Sequence, residues 1–354
     1  MKTIKLSKRK LGTLEVSAQG LGCMGMSEFY GAADQKESLA TLNRAFELGV
    51  DFFDTADMYG FGANEELLRI FIAEHKHKRN ELVIATKCGV MRDKNDPTKR
   101  VINNNFDYIL HCCDESLERL GIDYIDLYYL HRINEKLNVE GGAPLEESMR
   151  AFAALFKQGK IHNVGISEAS AEQIRRVHEA LLKHTNGKQG LTAVQTEYSL
   201  LSRSPETNGI LKACCELNIG FVAYSPLSRQ LLTSVIKSPE MKFAEGDSRL
   251  SAFPRFMGEN AKINFAIVSK VQQFAQNKGC SAAQLALAWV LAQGDYIVPI
   301  PGTKRVKYLE ENVTASSVVL TKADLKELDK IAPVGAAAGD RYTAAAMRAY
   351  ALDE

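Results

Sequence analysis

Short, nearly continuous apolar runs alternate with amphipathic segments along the whole chain. Because the apolar positions in most of these runs are consecutive rather than alternating, the runs are typical of parallel strands covered on both faces. Eight runs predict strands, at residues 17–24, 50–55, 81–87, 124–131, 162–167, 193–198, 219–225 and 295–302. The segments between them mostly carry apolar residues three and four positions apart and predict helices, over 34–49, 63–75, 105–121, 145–160, 170–184, 206–218 and 281–294.

The repeated strand–helix order predicts an α/β fold with a single (β/α)8 TIM barrel. An open doubly wound sheet usually has fewer parallel strands before a second domain begins. No linker rich in Pro, Gly or Ser divides the chain, so residues 1–354 are expected to form one domain. Asp34 and Glu37 predict a capping box for the first helix, which should end at Gly49. A long loop at 225–260 and a tail at 333–354 are expected to shape the pocket.

Composition and charge exclude several classes of partner. A net charge of +1 provides no field that would attract nucleic acid or an anionic membrane. No apolar run approaches the roughly 18 residues of a membrane-spanning helix, and the basic amino terminus lacks the apolar stretch of a signal peptide. The seven cysteines include two adjacent pairs and no C-x-x-C spacing, which favours reduced thiols and a cytoplasmic location over disulfides or zinc. The sequence gives no indication of oligomeric state.

The stretch "GLGCMG" at residues 20–25 matches the dinucleotide fingerprint G-x-G-x-x-G. A Rossmann turn requires the helix to begin at the glycines, so that its first amides face a pyrophosphate. Here the next helix is predicted to begin only near Asp34, which disfavours the Rossmann interpretation. We expect instead that the glycines let a strand end pass close to a flat ligand.

Four chemically active side chains fall at the carboxyl ends of three consecutive predicted strands. Asp54 and, one turn later, Tyr59 follow the second strand, whereas Lys87 and His131 end the third and fourth. In a (β/α)8 barrel these ends converge on the face where chemistry is done. A lysine there needs a counter-ion because burying an unpaired ammonium is costly, and Asp54 is the natural partner. Each residue alone has an ordinary structural explanation, but the four together indicate a site.

Two other kinds of catalytic site fit the sequence less well. The six remaining histidines are predicted to lie on helices or at strand starts, so no metal site is expected. Lys87 could act as a Schiff-base nucleophile. An adjacent carboxylate would keep its ammonium charged, however, whereas a nucleophilic lysine needs a lowered pKa.

The sequence resembles the aldo-keto reductases from Leu14 to Asn312, and within them the branch of pyridoxal-reductase-like and related aldehyde reductases. The resemblance is carried, in order, by "GLGCMGMS", "DFFDTADMYG", "LVIATK", "DLYYLH", "VGISE", "VQTEYS", "VAYSPL" and "IPGTKR". It implies NADPH/NADP+ as cofactor and a small carbonyl compound as substrate. It also implies that Tyr59 donates a proton to the carbonyl oxygen, with Lys87 lowering the pKa of Tyr59, Asp54 holding Lys87, and His131 orienting the oxygen.

The same resemblance implies a set of cofactor-binding residues. They are Gly22, Cys23, Met24, Asp54, Ser167, Glu168, Gln195 and Tyr224 at the nicotinamide, Ser225, Pro226, Leu227, Ser228 and Arg229 at the pyrophosphate, Gly302, Thr303, Lys304 and Arg305 at the 2′-phosphate, and Glu311 and Asn312 at the adenine. Three departures from the family pattern stand out. Glu168 replaces a common asparagine, Ser228 and Gln230 replace common glycines, and Gly302 replaces a common lysine.

Substrate recognition is expected at the barrel rim, in an apolar pocket suited to aromatic or aliphatic aldehydes. The predicted residues are Tyr30, Met58, Tyr59, Phe61 and His131, together with the loop 132–144 and the carboxy-terminal tail. The loop 225–260, with Arg249 and Arg255, is expected to close over the cofactor. Two functions remain open: an NADPH-dependent carbonyl reductase, and an NADP(H)-binding subunit that senses redox state with little turnover.

Overall fold

Eight parallel strands form one sheet in which each strand pairs with its neighbours in the chain. The computed structural model describes residues 6–93, 95–96 and 99–349, so the ends of the predicted domain and of the tail lie outside the described residues. The strands are β1 Leu21–Gly22, β2 Phe52–Asp54, β3 Val83–Cys88, β4 Leu127–Leu130, β5 Val164–Ser167, β6 Ala193–Glu197, β7 Gly220–Tyr224 and β8 Ile297–Pro299. A parallel bridge between Gly22 and Gly302 joins the first strand to the end of the last, which closes the predicted barrel.

The first two glycines of "GLGCMG" allow the neighbouring strands to come close enough to close the barrel. The Gly20 amide donates to the Pro299 carbonyl at 3.0 Å. A Cβ on Gly20 would lie 2.6 Å from the Phe52 ring, and one on Gly22 would lie 2.9 Å from the carbonyl oxygen of Ile300. The first two glycines therefore permit a close approach to neighbouring strands, while the expected approach to a flat ligand stays a prediction. Since no α-helix begins between residue 6 and Gln35, the structure also excludes Rossmann geometry at these glycines.

Helices follow the strands around the barrel. They are α1 Gln35–Glu47, α2 Ala63–Glu74, α3 Phe106–Leu120, α4 Leu145–Lys157, α5 Ala171–His184, α6 Ile210–Glu216, α7 Gly258–Lys278, α8 Ala282–Leu291, α9 Val306–Thr314 and α10 Lys322–Ile331, with short helices at Arg249–Ala252 and Ala344–Ala349. Single 3₁₀ turns occur at Met24–Met26, Tyr59–Gly62, Lys76–Glu81, Ser204–Glu206, Ser228–Gln230, Pro254–Phe256 and Ala315–Ser317. Asp34 caps α1 by accepting from the Glu37 amide at 2.7 Å, one of the two bonds of the expected capping box. Gly49, at φ 87°, follows the end of that helix.

Two helical predictions need correction. The sixth helix is shorter than the predicted 206–218, because Gly209, at φ 85°, separates it from the preceding 3₁₀ turn. The helices α9 and α10 were not predicted, and neither was the 21-residue helix α7. Its buried positions are spaced three and four apart, but they are Ala261, Asn264, Val268, Val271 and Ala275, so the apolar stripe is weak.

An amino-terminal hairpin, Lys8–Leu11 with Leu14–Ser17, plugs one end of the barrel. Its Leu11 and Val16 pack with the side chains that fill the barrel interior, among them Phe52, Leu127 and Tyr129. A second hairpin, Val90–Arg92 with Arg100–Ile102, follows β3. The first hairpin closes the end where the strands begin, so the polar residues at the strand ends occupy the opposite rim. Among the described helices, none is long and apolar enough to cross a membrane.

Candidate active site

A buried ion pair lies at the carboxyl ends of β2 and β3. Lys87 is 0 % exposed, and its Nζ donates to Asp54 Oδ1 at 2.5 Å and to the Thr55 carbonyl at 2.7 Å. The other oxygen of Asp54 accepts from Gln195 Nε2 at 2.7 Å. Burial lowers the pKa of Lys87, while the charge of Asp54 and its hydrogen bond act in the opposite direction. Asp54 is thus held between a cation and an amide from across the barrel.

Tyr59 and His131 lie beside this pair. Tyr59 begins a turn in which Gly60, Phe61 and Gly62 all have positive φ, of 57°, 54° and 96°. Its ring centroid lies 5.2 Å from Lys87 Nζ and 5.9 Å from the His131 ring, with the two ring planes at 83°. The structure therefore brings together the four residues that the sequence places at three separate strand ends.

The pKa of Tyr59 differs from the sequence-based expectation. Burial, followed by the charge of Asp54, raises the pKa of Tyr59 well above its ordinary value. The Lys87 ammonium donates to Asp54 and to the Thr55 carbonyl, and its effect on the Tyr59 phenolate stays a prediction. Tyr59 is therefore a neutral phenol at physiological pH, with a proton that it can donate.

His131 is a neutral imidazole at physiological pH. Burial lowers the pKa of His131 well below its ordinary value, and the charges of Arg132, Lys87 and Arg100 add to this effect. Within the described part of the chain, the buried Nδ1 of His131 has no hydrogen-bond partner. A neutral imidazole carries one N–H donor, which can serve an oxygen placed beside Tyr59.

Arg132 is a site residue that the strand-end pattern did not single out. Its Nη1 donates to Ser167 Oγ at 3.1 Å and to the carbonyl of His131 at 2.9 Å. This places a buried cation between the ends of β4 and β5, where it opposes the rise in the pKa of Tyr59. Its position directly after His131 was the signal available in the sequence.

The ends of β5 and β7 meet the carboxy-terminal tail. Glu168 has a φ of 53°. Its two carboxylate oxygens each accept a hydrogen bond from Arg341 Nη1, at 2.9 and 3.0 Å. The hydroxyls of Tyr224 and Tyr342 lie 3.2 Å apart. Two of the residues assigned to the nicotinamide by resemblance therefore contact the tail, which the sequence assigned only to the substrate pocket.

The turn after β7 contains four non-glycine residues in left-handed conformations. They are Ser225, Ser228, Arg229 and Gln230, at φ 49°, 47°, 53° and 85°. Each such residue costs about 1–3 kcal/mol and persists only where surrounding contacts impose it. Ser228 and Gln230 occupy positions where relatives often have glycine, and their positive φ explains that preference. In this chain Ser228 Oγ lies 2.7 Å from Ser199 Oγ, which helps to hold the turn.

Arg229 is held by the most deeply buried acid of the site. Its Nη2 donates to Glu197 Oε2 at 2.7 Å, and its guanidinium carbon lies 4.2 Å from the centroid of the Phe253 ring. Pro226 and Leu227 lie in the same turn, between β7 and the 3₁₀ turn that begins at Ser228. Arg249 and Arg255 lie in the loop expected to close over the cofactor; Arg249 binds Asp247, and Arg255 binds Ser202 and Glu197 at the end of β6, while closure of the loop stays a prediction.

Some of the residues after β8 are bonded within the fold, and others are exposed to solvent. Gly302 forms the closing bridge with Gly22, and Lys304 Nζ donates to the carbonyls of Tyr30 and Gly31 at 3.0 and 3.2 Å. Arg305 has a side chain 58 % exposed, 3.8 Å from Glu37. Of these cations, Arg305 is the one with room to meet a phosphate. The remaining predicted positions near it are Thr303, whose Oγ1 accepts from the Arg305 amide at 3.1 Å, and Glu311 and Asn312 on α9.

The substrate side of the rim is apolar but contains an ion pair that the sequence did not indicate. Met58 and Tyr59 pack with Ala56, Val90 and Met24. Arg92 donates to Glu28 and to the Met58 carbonyl at 2.7 and 2.8 Å, and its guanidinium lies 4.3 Å from the exposed Phe61 ring. The backbone of Tyr30 forms a bridge with Asp247, which ties the first loop to the loop after β7. Cys23 is buried beneath this loop, and burial raises the pKa of its thiol.

The residues present fit a dinucleotide better than a metal. Within the described residues, no group of three or more His, Cys, Asp or Glu side chains could hold a metal ion. Ser167, Glu168 and Gln195 offer a hydroxyl, a carboxylate and a carboxamide on or just after β5 and β6, and Tyr224 ends the neighbouring β7. The exposed cation Arg305 lies beyond β8. This donor set matches an uncharged aromatic amide at one end and a phosphate at the other.

Known proteins resemble this chain over nearly its whole length. The family model described as "Aldo/keto reductase family" matches residues 19–333. An aldo-keto reductase of Schizosaccharomyces pombe, whose name specifies NADP(+), is 43 % identical over 96 % of this chain and 95 % of its own. A probable aldo-keto reductase of Glycine max is 39 % identical over 94 % and 91 %. The solved glycerol dehydrogenase of Gluconobacter oxydans superposes with a TM-score of 0.78 at 27 % identity, covering 94 % of this chain and 95 % of its own.

Proposed function

The chain belongs to the aldo/keto reductase family, and on this premise we propose that it reduces small aldehydes or ketones to alcohols with NADPH. One observation supports the proposal most directly. A fully buried Lys87–Asp54 ion pair lies beside Tyr59 and His131 at a single point of the barrel rim. This arrangement supports a site in which a neutral acid, a neutral hydrogen-bond donor and a fixed cation would surround one carbonyl oxygen.

Tyr59 is the proton donor in this proposal. NADPH, when bound, supplies the hydride that the carbonyl carbon receives. Negative charge then develops on the oxygen, and the Tyr59 hydroxyl transfers its proton there. Although the pKa of Tyr59 is raised, an alkoxide is a still stronger base, so the transfer is favourable. Lys87, 5.2 Å from the ring centroid, stabilises the phenolate that remains.

In this proposal His131 orients the carbonyl oxygen of the substrate, and Asp54 keeps Lys87 charged. The neutral His131 donates a hydrogen bond to the carbonyl oxygen and fixes its direction, as an oxyanion-hole donor does. Asp54 keeps Lys87 charged despite burial, because its oxygen lies 2.5 Å from the ammonium. The Arg92–Glu28 pair and the ring of Phe61 would bound the substrate on the outer side.

The cofactor would lie along the rim from β5 to β8. Ser167, Glu168 and Gln195 would hold the carboxamide, and Tyr224 would lie against the nicotinamide ring. The turn 225–229 would follow the pyrophosphate, and Arg305 with Thr303 would meet the 2′-phosphate. Support for NADP(H) comes from the exposed Arg305 and from the NADP(+)-specific name of the Schizosaccharomyces pombe relative.

A panel of aromatic and aliphatic aldehydes, assayed by nicotinamide absorbance with NADPH and with NADH, tests the proposal. We expect turnover of at least one aldehyde with NADPH, and a higher KM for NADH. The variant Arg305→Met tests the contact with the 2′-phosphate: it should raise the KM for NADPH more than the KM for NADH. NADPH binding without turnover of any aldehyde would instead support the redox-sensing subunit.

A further inference from the structure

Glu168 is a carboxylate at a position where relatives commonly have a neutral asparagine. Its side chain is 4 % exposed, and it therefore needs a compensating charge. The backbone fixes its position, because its amide donates to the Gln195 carbonyl at 3.0 Å and its φ is 53°. The compensating charge comes from Arg341, whose Nη1 lies 2.9 and 3.0 Å from the two carboxylate oxygens.

Hydrogen bonds to the rest of the chain hold the tail segment that carries Arg341. Ala338 exchanges two backbone hydrogen bonds with the side chain of Asn264 on α7, at 2.9 and 2.8 Å. The Gly339 carbonyl accepts from Arg255 Nε at 3.2 Å. Arg341 itself is only 10 % exposed along its side chain. The guanidinium is therefore fixed at the cofactor end of the rim by its own chain segment.

The hydrogen bonds of Glu168 leave room for one more donor. An ionised carboxylate offers about four lone-pair sites. Arg341 occupies one on each oxygen, and the Glu197 amide donates to Oε1 at 3.1 Å. The remaining site is on Oε2, which is the acceptor that an amide N–H of a carboxamide would need.

We propose that Arg341 is a positioning residue for the cofactor: it neutralises and aims Glu168, so that the free lone pair of Glu168 accepts from the nicotinamide carboxamide. The inference rests on the proposed function and adds the carboxy-terminal tail to the cofactor site. The contact between the Tyr342 and Tyr224 hydroxyls, 3.2 Å apart, places the next tail residue against the neighbouring nicotinamide residue. The Glu168–Arg341 pair thus replaces the neutral asparagine by two opposite charges.

The test measures the dissociation constant of NADPH by fluorescence titration, without substrate. Arg341→Met should weaken NADPH binding about 10- to 100-fold, because it leaves a buried carboxylate without its cation. Glu168→Asn combined with Arg341→Met should recover binding to within about threefold of the wild type, since a neutral amide needs no counter-ion. Arg341→Lys, which keeps the charge, should retain most of the affinity. The matched control is Arg176→Met. Arg176 is an exposed arginine on α5 that pairs with Glu135, so its removal should leave the dissociation constant of NADPH unchanged.

Three results are decisive. A double variant that binds as weakly as Arg341→Met would show a merely structural role for the arginine and overturn the inference. NADPH binding by Arg341→Met that equals or exceeds the wild type would also overturn it, because the tail would then be inert or an obstruction. In either case wild-type turnover would leave the proposed reductase intact, whereas a wild type that does not bind NADPH at all would overturn both.

Discussion

Glu197→Gln removes one negative charge from the centre of a buried cluster. Glu197 lies at the end of β6, and its side chain is fully buried. Its oxygens accept from Arg229 at 2.7 Å and from Ser202 Oγ at 2.6 Å, and Arg255 lies 3.6 Å away. The carboxylate therefore holds together the turn after β7 and the loop that precedes α7.

The pKa of Glu197 sets the size of the effect. Burial acts to raise this pKa, but the charges of Arg229, Arg341 and Arg255 outweigh it and lower the pKa from 4.5 to about 2. At about 1.4 kcal/mol per pH unit, this difference corresponds to about 3 kcal/mol of folding free energy at neutral pH. Because the folded pKa is the lower one, the contribution is complete above the unfolded value and is lost as the pH falls toward 2. About 2 of these 3 kcal/mol should be gone at pH 3.

Urea unfolding of the wild type and of Glu197→Gln at a series of pH values measures this contribution. At pH 7 the variant should be less stable by about 3 kcal/mol or more, because Arg229 and Arg255 also lose their anion. The difference should narrow by about 2 kcal/mol between pH 7 and pH 3. Glu172→Gln is the control, since its carboxylate is 82 % exposed and 4.0 Å from Arg176. A wild-type–variant difference that stays constant over this range would refute the reasoning.

Two further substitutions test the interior of the barrel. Lys87→Met leaves Asp54 buried without its cation and should cost about 3–5 kcal/mol of unfolding free energy in urea titrations, with loss of turnover; a variant as stable as the wild type would contradict the buried ion pair. Gly165→Ala places a Cβ 2.3 Å from the Tyr129 ring, so it should cost about 1–3 kcal/mol in thermal unfolding. Gly25→Ala is the control, because its Cβ would lie 3.4 Å from the Tyr30 ring, an ordinary contact, and its backbone has no positive φ.

Most of the barrel could be predicted because parallel strands covered on both faces leave a strong apolar signal. Seven of the eight strands lie within the predicted runs and β3 extends one residue beyond its run, to Cys88, although β1 is reduced to Leu21–Gly22. The helix α7 could not be predicted, since alanine and asparagine occupy buried positions that larger apolar residues usually mark. The amino-terminal hairpin was also missed, because its role as a plug depends on contacts between Leu11 and distant strands.

The sequence likewise predicted some features of the candidate site and missed others. Asp54, Tyr59, Lys87 and His131 could be predicted because each lies at or shortly after the carboxyl end of a strand, and strand ends converge in a barrel. Long-range pairs could not be predicted in this way: Arg341 and Glu168 are 173 positions apart, and no periodic pattern links them. The one available signal was Glu168 itself, a carboxylate in place of an amide, which implies an unassigned cation. The raised pKa of Tyr59 likewise depends on burial that only the structure reveals.

The central claim is that Tyr59 donates the proton at a rim organised by Lys87, Asp54 and His131. Comparing kcat/KM for an aldehyde and the dissociation constant of NADPH between the wild type and Tyr59→Phe tests it most directly, with Tyr124→Phe, at the opposite end of β4, as control. The account predicts a fall in kcat/KM of about 10²- to 10⁴-fold, with NADPH binding unchanged. A Tyr59→Phe variant that reduces the aldehyde as fast as the wild type would contradict it.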